Sequence, residues 1–180
     1  MVLFLVPKYR RKPGIRNEII MGFSKKRRSR TADRTQNRTA LEIATLYSKA
    51  LAKGDLEGMR DLYGEGYKLD FVARDAFEGS VLSAGEAIEF WESWFLAFPE
   101  RDYQVRRTVA GDEIVVTQWT FIGTNSGPLM PLIFEGTKPP SGKTVRFRGV
   151  SVYEIFDGKL GRETTYLDLG TLLVELGVTI

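Results

Sequence analysis

The chain has 180 residues, of which 43% are hydrophobic and 12% aromatic, and this is enough for one domain with a substantial core. It contains no Cys and no His, which excludes disulfide bonds, thiolate or imidazole metal sites, and Cys-His or Ser-His-Asp catalysis. Any acid–base chemistry must therefore use Asp, Glu, Tyr or Lys.

The net charge of +3 conceals two different segments. Residues 1–38 carry twelve basic and two acidic side chains, whereas residues 39–180 carry 14 basic and 21 acidic ones. This predicts a basic, mostly disordered arm followed by one domain over residues 39–180. No stretch approaches the roughly 20 apolar residues of a membrane span. A reducing cytoplasm is the simplest expectation for a chain without Cys.

The most distinctive feature of the arm is the sequence KKRRSR, from Lys25 to Arg30. Such a cluster can bind nucleic acid or an anionic surface, or serve as a nuclear address. No aromatic residue interleaves it to stack on bases, which favours a solvated tail. Two other interpretations stay open, a targeting segment and an extension upstream of a start at Met21.

Two helices are predicted where the domain begins. Thr39 followed by Glu42 forms a capping-box pattern, and apolar residues then recur at helical spacing as far as Gly54. Asp55 can cap a second, short helix over Leu56–Tyr63.

A short strand over Tyr67–Val72 carries Asp70 in its middle, and residues 79–83 are predicted to form a loop. A third helix over Ala84–Phe98 has large aromatic residues on one side and stops at Pro99. Such a face needs a wide sheet to cover.

Beyond Pro99 the pattern changes to the period of two that is typical of strands, first around Tyr103 and then over Ile114–Thr124. Residues 125–141 are rich in Gly and Pro and form a long loop. Loops of this length are commonly functional. Its apolar residues predict a lid over a pocket; they are Leu129, Met130, Leu132, Ile133 and Phe134.

The C-terminal run predicts a β-hairpin followed by a helix. Strands over Lys143–Phe156 and Lys159–Leu167 flank Asp157-Gly158, a dipeptide that favours a tight turn because both residues accept positive φ. The helix that follows has leucines at helical spacing and Gly177 at its expected C-terminal cap.

Together these elements predict an α+β fold, in which a cone-shaped, curved and mostly antiparallel sheet wraps around three N-terminal helices and a short C-terminal helix follows. Three segments, FPERDYQVRRTVAGDEIVVTQWTFIGTNSGPLM, PPSGKTVRFRGVSVYEIFDGKL and YLDLGTLLVELG, resemble the SnoaL-like polyketide cyclases and ester cyclases of the nuclear-transport-factor-2-like superfamily. The resemblance covers about residues 39–180. It implies a pocket between the sheet and the helices, and chemistry without a metal or organic cofactor.

The resemblance further implies that one carboxylate acts as general acid/base in the intramolecular aldol closure of a polyketide ester. The family position for this carboxylate falls on Asp168. A desolvated carboxylate with a raised pKa can deprotonate a carbon flanked by two carbonyls, and general base catalysis contributes about 10²–10⁴-fold. Asp168 also directly precedes a helix, where Asp is a preferred N-cap, so simple capping is an equally good interpretation.

An enolate formed in such a pocket needs a hydrogen-bond donor for its oxygen. The candidates are Tyr166, Trp119, Asn125 and Arg148. Strand parity places Tyr166 and Asp168 on one side of the last strand. Asp70 is a further candidate for substrate contact, or else an exposed acid. Trp119 could equally be a core residue, and Arg148 could lie on a solvated sheet face or in a dimer interface.

The leading hypothesis is therefore a cofactor-independent cyclase or isomerase that acts on a hydrophobic, polyketide-like carbonyl compound. The alternative is a non-catalytic module of the same fold that binds a hydrophobic ligand or dimerises, because this chain lacks the histidines that the family often carries. The resemblance also implies a homodimer.

Overall fold

A computed structural model describes residues 38–72, 81–129 and 136–178 of the chain. The predicted basic arm lies outside the described residues, except for Arg38 at its end. The arm and its proposed binding of nucleic acid or an anionic surface stay predictions.

The described residues form four helices. They are α1 (Ala40–Lys53), α2 (Leu56–Leu62), α3 (Ala84–Ala97) and α4 (Leu169–Leu176). The predicted capping box of Thr39 and Glu42 starts α1, and Gly54 ends it with a φ of 73°. Ser83 and Glu86 form a second capping box at α3. All four predicted helices are confirmed, with ends shifted by no more than one residue.

Six strands in the described residues form one sheet. They are β1 (Tyr63–Val72), β2 (Val81–Ser83), β3 (Glu100–Ala110), β4 (Ile114–Thr124), β5 (Thr144–Phe156) and β6 (Lys159–Leu167). The order is β2-β1-β6-β5-β4-β3, and every neighbouring pair is antiparallel except β1 and β6. This confirms the predicted α+β fold with a curved, mostly antiparallel sheet. Strand β2 lies in a segment that the sequence predicts to be a loop. The strand was missed because three residues are too few to show a period of two.

The hairpin between β5 and β6 forms as predicted, with Asp157 and Gly158 both at positive φ. In the long loop after β4, Leu129 is buried and pairs with Lys138 through two backbone hydrogen bonds. The remaining apolar residues of the predicted lid lie outside the described residues.

A β-bulge in β6 decides which side chains face the helices. Leu160 and Arg162 are paired with consecutive residues of β5, so Gly161 is an extra residue in β6. Beyond the bulge, Glu163 and Thr165 are buried on the concave face of the sheet. The convex face carries Arg162, Thr164 and Tyr166.

Aromatic packing between α3 and the concave face forms the centre of the core. The ring of Trp94 lies 4.6 Å from Phe98, 5.4 Å from Phe121 and 6.2 Å from Phe147, measured between centroids. Burying one such side chain stabilises the fold by about 1.5–3 kcal/mol. Helix α4 lies along the part of β5 that extends past the end of β6, where Glu175 accepts a hydrogen bond from the backbone N–H of Arg146.

Candidate active site

A narrow pocket lies between the concave face of the sheet and the helices. Its apolar lining includes Trp91, Trp94, Trp119, Phe71, Phe121 and Phe147, and its polar lining is Arg101, Tyr103, Ser151, Glu163 and Thr165. The space open to the centre of a water molecule is about 30 Å³, room for about two waters. A larger ligand would have to displace side chains. The interior is therefore mostly apolar, with a few polar groups grouped within it.

Glu163 is the one carboxylate that lines this pocket among the described residues, and its exposure is only 1%. Its Oε2 accepts hydrogen bonds from the hydroxyls of Tyr47 at 2.7 Å and Tyr67 at 3.3 Å. Its Oε1 accepts one from the Thr165 hydroxyl at 2.9 Å. Burial raises the pKa of Glu163, and these hydrogen bonds offset only part of the increase.

The two tyrosines reach Glu163 from elements at the other end of the chain. Tyr47 projects from the buried face of α1 and Tyr67 from β1, and both are fully buried. Burial, reinforced by the charge of Glu163, raises the pKa of each phenol. Both hydroxyls consequently keep their protons and act as donors. The ring of Tyr63 stacks on that of Tyr67 at 3.7 Å between centroids and helps to fix its position.

A chain of hydrogen bonds reaches Glu163 from Trp119. The indole N–H donates to the Ser151 hydroxyl at 2.9 Å, and the Ser151 and Thr165 hydroxyls are 2.8 Å apart. The Thr165 hydroxyl donates its one proton to Glu163, so it must accept from Ser151, which in turn accepts from the indole. The Trp119 ring packs against Gly149, where a Cβ would lie 2.3 Å from the ring.

Arg101 and Tyr103 complete the polar lining. The Arg101 guanidinium lies 4.1 Å from the centroid of the Phe95 ring and donates through Nη1 to the Phe98 carbonyl at 3.1 Å, while burial lowers its pKa. The Tyr103 hydroxyl is buried and makes no hydrogen bond to a described residue. Burial raises the pKa of Tyr103, and the nearby Tyr153 hydroxyl, which is not in hydrogen-bonding geometry with it, adds to the increase.

The structure places Asp168 at the N-cap of α4. Its carboxylate accepts hydrogen bonds from the Thr171 backbone N–H at 3.1 Å and the Thr171 hydroxyl at 2.8 Å, which lowers its pKa. The predicted capping role is confirmed. Asp168 is not part of the pocket lining. Its acid/base role stays a prediction, and its lowered pKa makes it a weaker base than Glu163.

Of the predicted substrate-binding residues, the structure brings Trp119 to the pocket. Asn125 is fully buried after β4, where its amide donates to the Ala97 and Gly127 carbonyls and accepts from the Ser141 backbone N–H. Both of its amide hydrogens are therefore used. This arrangement ties the start and end of the long loop to the end of α3.

The other three predicted residues lie on the convex side of the sheet, away from the pocket. Tyr166 is 51% exposed, and Arg148 is exposed on β5. Asp70 pairs with Arg162 across the parallel strands β1 and β6. These positions fit a solvated or partner-facing surface, so substrate contact by these residues stays a prediction.

Sequence reasoning missed Glu163 because it took the orientation of β6 side chains from Asp168, which shares a face with the exposed residues. Counting by twos back from Asp168 groups it with Tyr166 and Arg162, a set that includes no pocket residue. A count forward from buried Leu160 also fails, because the bulge at Gly161 shifts the alternation from Arg162 to Glu163. The available signal was Gly161, since an isolated Gly within a strand often marks a bulge.

The described residues bear on two further questions, membrane insertion and metal binding. They contain no helix long and apolar enough to cross a membrane, and no group of three acidic side chains that could hold a metal ion. The expectations of a cofactor-free reaction and a cytoplasmic location stay predictions.

A curved sheet closed by helices around a buried carboxylate defines a small α+β domain with an internal site. The sequence model of the SnoaL-like polyketide cyclase family matches residues 41–176, and the chain belongs to that family. No curated protein matches it.

Solved structures agree with this fold. A provisionally assigned SnoaL-like polyketide cyclase from Jannaschia sp. CCS1 is 19% identical with a TM-score of 0.66, and the match covers 83% of this chain and all of that one. IdmH of Streptomyces antibioticus, provisionally a polyketide cyclase, is 24% identical with a TM-score of 0.63, over 78% of this chain and 100% of its own. AclR of Streptomyces galilaeus, provisionally a hydroxylase, is 20% identical with a TM-score of 0.65, and the match covers 78% of this chain and 86% of AclR. Different activities are thus assigned to one fold, so the reaction must be argued from the site.

Proposed function

We propose that the protein is a cofactor-independent enzyme that performs cyclase-type or isomerase-type acid–base chemistry on a hydrophobic carbonyl compound, with Glu163 as the group that removes and returns the proton. The observation that carries this proposal is a buried carboxylate with a raised pKa in an apolar pocket. Perturbed carboxylates of this kind are typical of acid–base sites.

The chemistry follows from these groups. The ionised Glu163 takes a proton from a carbon beside a carbonyl, and the electron pair of the broken C–H bond forms an enolate. In a cyclisation the enolate carbon attacks a second carbonyl of the same molecule, and the new alkoxide regains the proton from Glu163. In an isomerisation the proton returns to a different carbon. The Tyr103 hydroxyl, which has no other described partner, is the proposed donor to the enolate oxygen.

Glu163→Gln and Asp168→Asn together test the assignment. We expect Glu163→Gln to slow exchange of the α-protons of 2-tetralone in D₂O, followed by NMR, by about 10²-fold or more. Asn is also a good N-cap, so Asp168→Asn should keep both fold and rate. Loss of exchange in Asp168→Asn, with Glu163→Gln still active, would assign the proton transfer to Asp168 instead.

The second candidate function is non-catalytic binding of a hydrophobic ligand. The small free space in the pocket favours it, as does the absence of His from the chain. If the wild-type protein binds ketones but does not accelerate their exchange above the spontaneous rate, this alternative is preferred.

We also propose that the protein forms a homodimer through the convex face of the sheet. Half-buried apolar side chains lie there on β4 and β5, namely Val116, which is paired with Val152, together with Val150 and Ile122. Exposed Tyr166 lies beside Val150 on β6. A sheet face that leaves several apolar side chains half exposed is a common site of self-association.

A further inference from the structure

We propose that the pocket takes a substrate with a carboxylate group on a hydrophobic ring or chain, and that Arg101 binds this carboxylate. The inference rests on the proposed use of the pocket as a substrate site and adds the chemical class of the substrate. Its evidence is the placement of Arg101, which the proton-transfer chemistry does not use.

The fold holds the Arg101 guanidinium in a fixed position at the pocket. One face lies over the Phe95 ring at 4.1 Å, and Nη1 donates to the Phe98 carbonyl. Nη2 packs against the backbone of Gly54, where a Cβ would lie only 2.0 Å away. Gly54 also has a φ of 73°, which strains any residue with a side chain. The glycine that ends α1 thus leaves the space that the guanidinium fills.

The charge of Arg101 has no carboxylate partner among the described residues. Its Nε–H is buried and lacks an acceptor there. Glu163, the described carboxylate in the same pocket, already accepts hydrogen bonds from three hydroxyls. A buried, charged donor without an acceptor is unfavourable, so a ligand that supplies a negative oxygen gains from pairing with it.

The remaining lining defines the rest of the ligand. Aromatic rings line the pocket between the polar groups, so a flat hydrophobic body that displaces side chains on entry would pack against rings. A guanidinium matches a carboxylate better than a neutral carbonyl because it can donate two parallel hydrogen bonds. One end of the ligand would be held by Arg101 while a ketone elsewhere in it is presented to Glu163.

Tryptophan fluorescence gives a direct test, because all three tryptophans of the chain line the pocket. The probes are 3-phenylpropanoate and 3-phenylpropanamide, which have similar shapes but differ in charge at pH 7. We expect the wild-type protein to bind the acid about tenfold more tightly than the amide. Arg101→Gln should remove this preference and leave the affinity for the amide unchanged. Arg107→Gln is the matched control, since Arg107 is exposed on the same strand.

The inference is overturned if the wild-type protein binds the acid and the amide equally, or does not bind the acid at millimolar concentration. Both results come from the wild type, so they hold even if Arg101→Gln fails to fold. Persistence of the preference in a folded Arg101→Gln variant would also overturn it. Glu163→Gln should keep the preference for the acid. Undiminished proton exchange in that variant would disprove the role of Glu163 without affecting this result, so the two proposals fail separately.

Discussion

At the scale of single residues, Glu163 shows how a fold makes a carboxylate more basic without a cationic partner. Three hydroxyls stabilise its charge, yet complete burial outweighs them and the pKa rises. The hydroxyls orient the carboxylate, and the removal of water makes it a better base. The same burial must cost stability once the group ionises.

This cost predicts a pH-dependent difference in stability between Glu163→Gln and the wild type. The folded pKa lies above the unfolded value of about 4.5, so the contribution of Glu163 to stability is fully present below that pH and is lost as the pH rises through the folded pKa. Glutamine cannot ionise. We therefore expect the variant to gain stability relative to the wild type as the pH rises, measured by urea denaturation at several pH values.

Glu42→Gln is a control in which the stability difference from the wild type should change with pH in the opposite direction. The capping-box hydrogen bonds from Thr39 lower the pKa of Glu42, so its contribution is present above the unfolded pKa and is lost as the pH falls through the folded value. A difference between Glu163→Gln and the wild type that does not change with pH would show that Glu163 has an ordinary pKa.

At the scale of secondary-structure elements, the cap of α4 gives a separate prediction. Asp168→Ala removes the acceptor for the Thr171 backbone N–H and should lower the free energy of unfolding by about 1 kcal/mol. Asp168→Asn should cost much less because Asn also caps. Chemical denaturation of both variants measures this, with Thr39→Ala at α1 for comparison. Equal losses for Ala and Asn would mean that the charge, rather than the cap, stabilises α4.

Most elements could be predicted because their signals are local. Strands β4 and β6 have the predicted ends and β5 starts one residue later, since a long run with period two and the Asp157-Gly158 turn each act within a few residues. The parallel pairing of β1 with β6 joins residues about a hundred positions apart, and no local pattern shows it. The position of Glu163 beside Tyr67 depends on this pairing, whereas the family alignment led to Asp168, whose acid/base role stays a prediction.

At the scale of the whole molecule, the convex face predicts self-association. Val152→Glu would place a charge among half-buried apolar residues of β4 and β5, so we expect it to give a monomer in analytical ultracentrifugation while the wild type is a dimer. Val174→Glu is the control, because Val174 is 65% exposed on α4. A wild-type protein that sediments as a monomer would refute the proposed interface.

The position of β6 between β1 and β5 also bears on synthesis of the protein. The partners of Glu163 on α1 and β1 precede it by 116 and 96 residues, so they emerge from the ribosome long before it does. Until the last strand arrives, the edges of β1 and β5 that will flank it stay open and can pair with other chains. Strand β6 thus brings the buried acid and also closes the gap between β1 and β5. A polypeptide cut short before β6 would lack the acid and have a divided sheet.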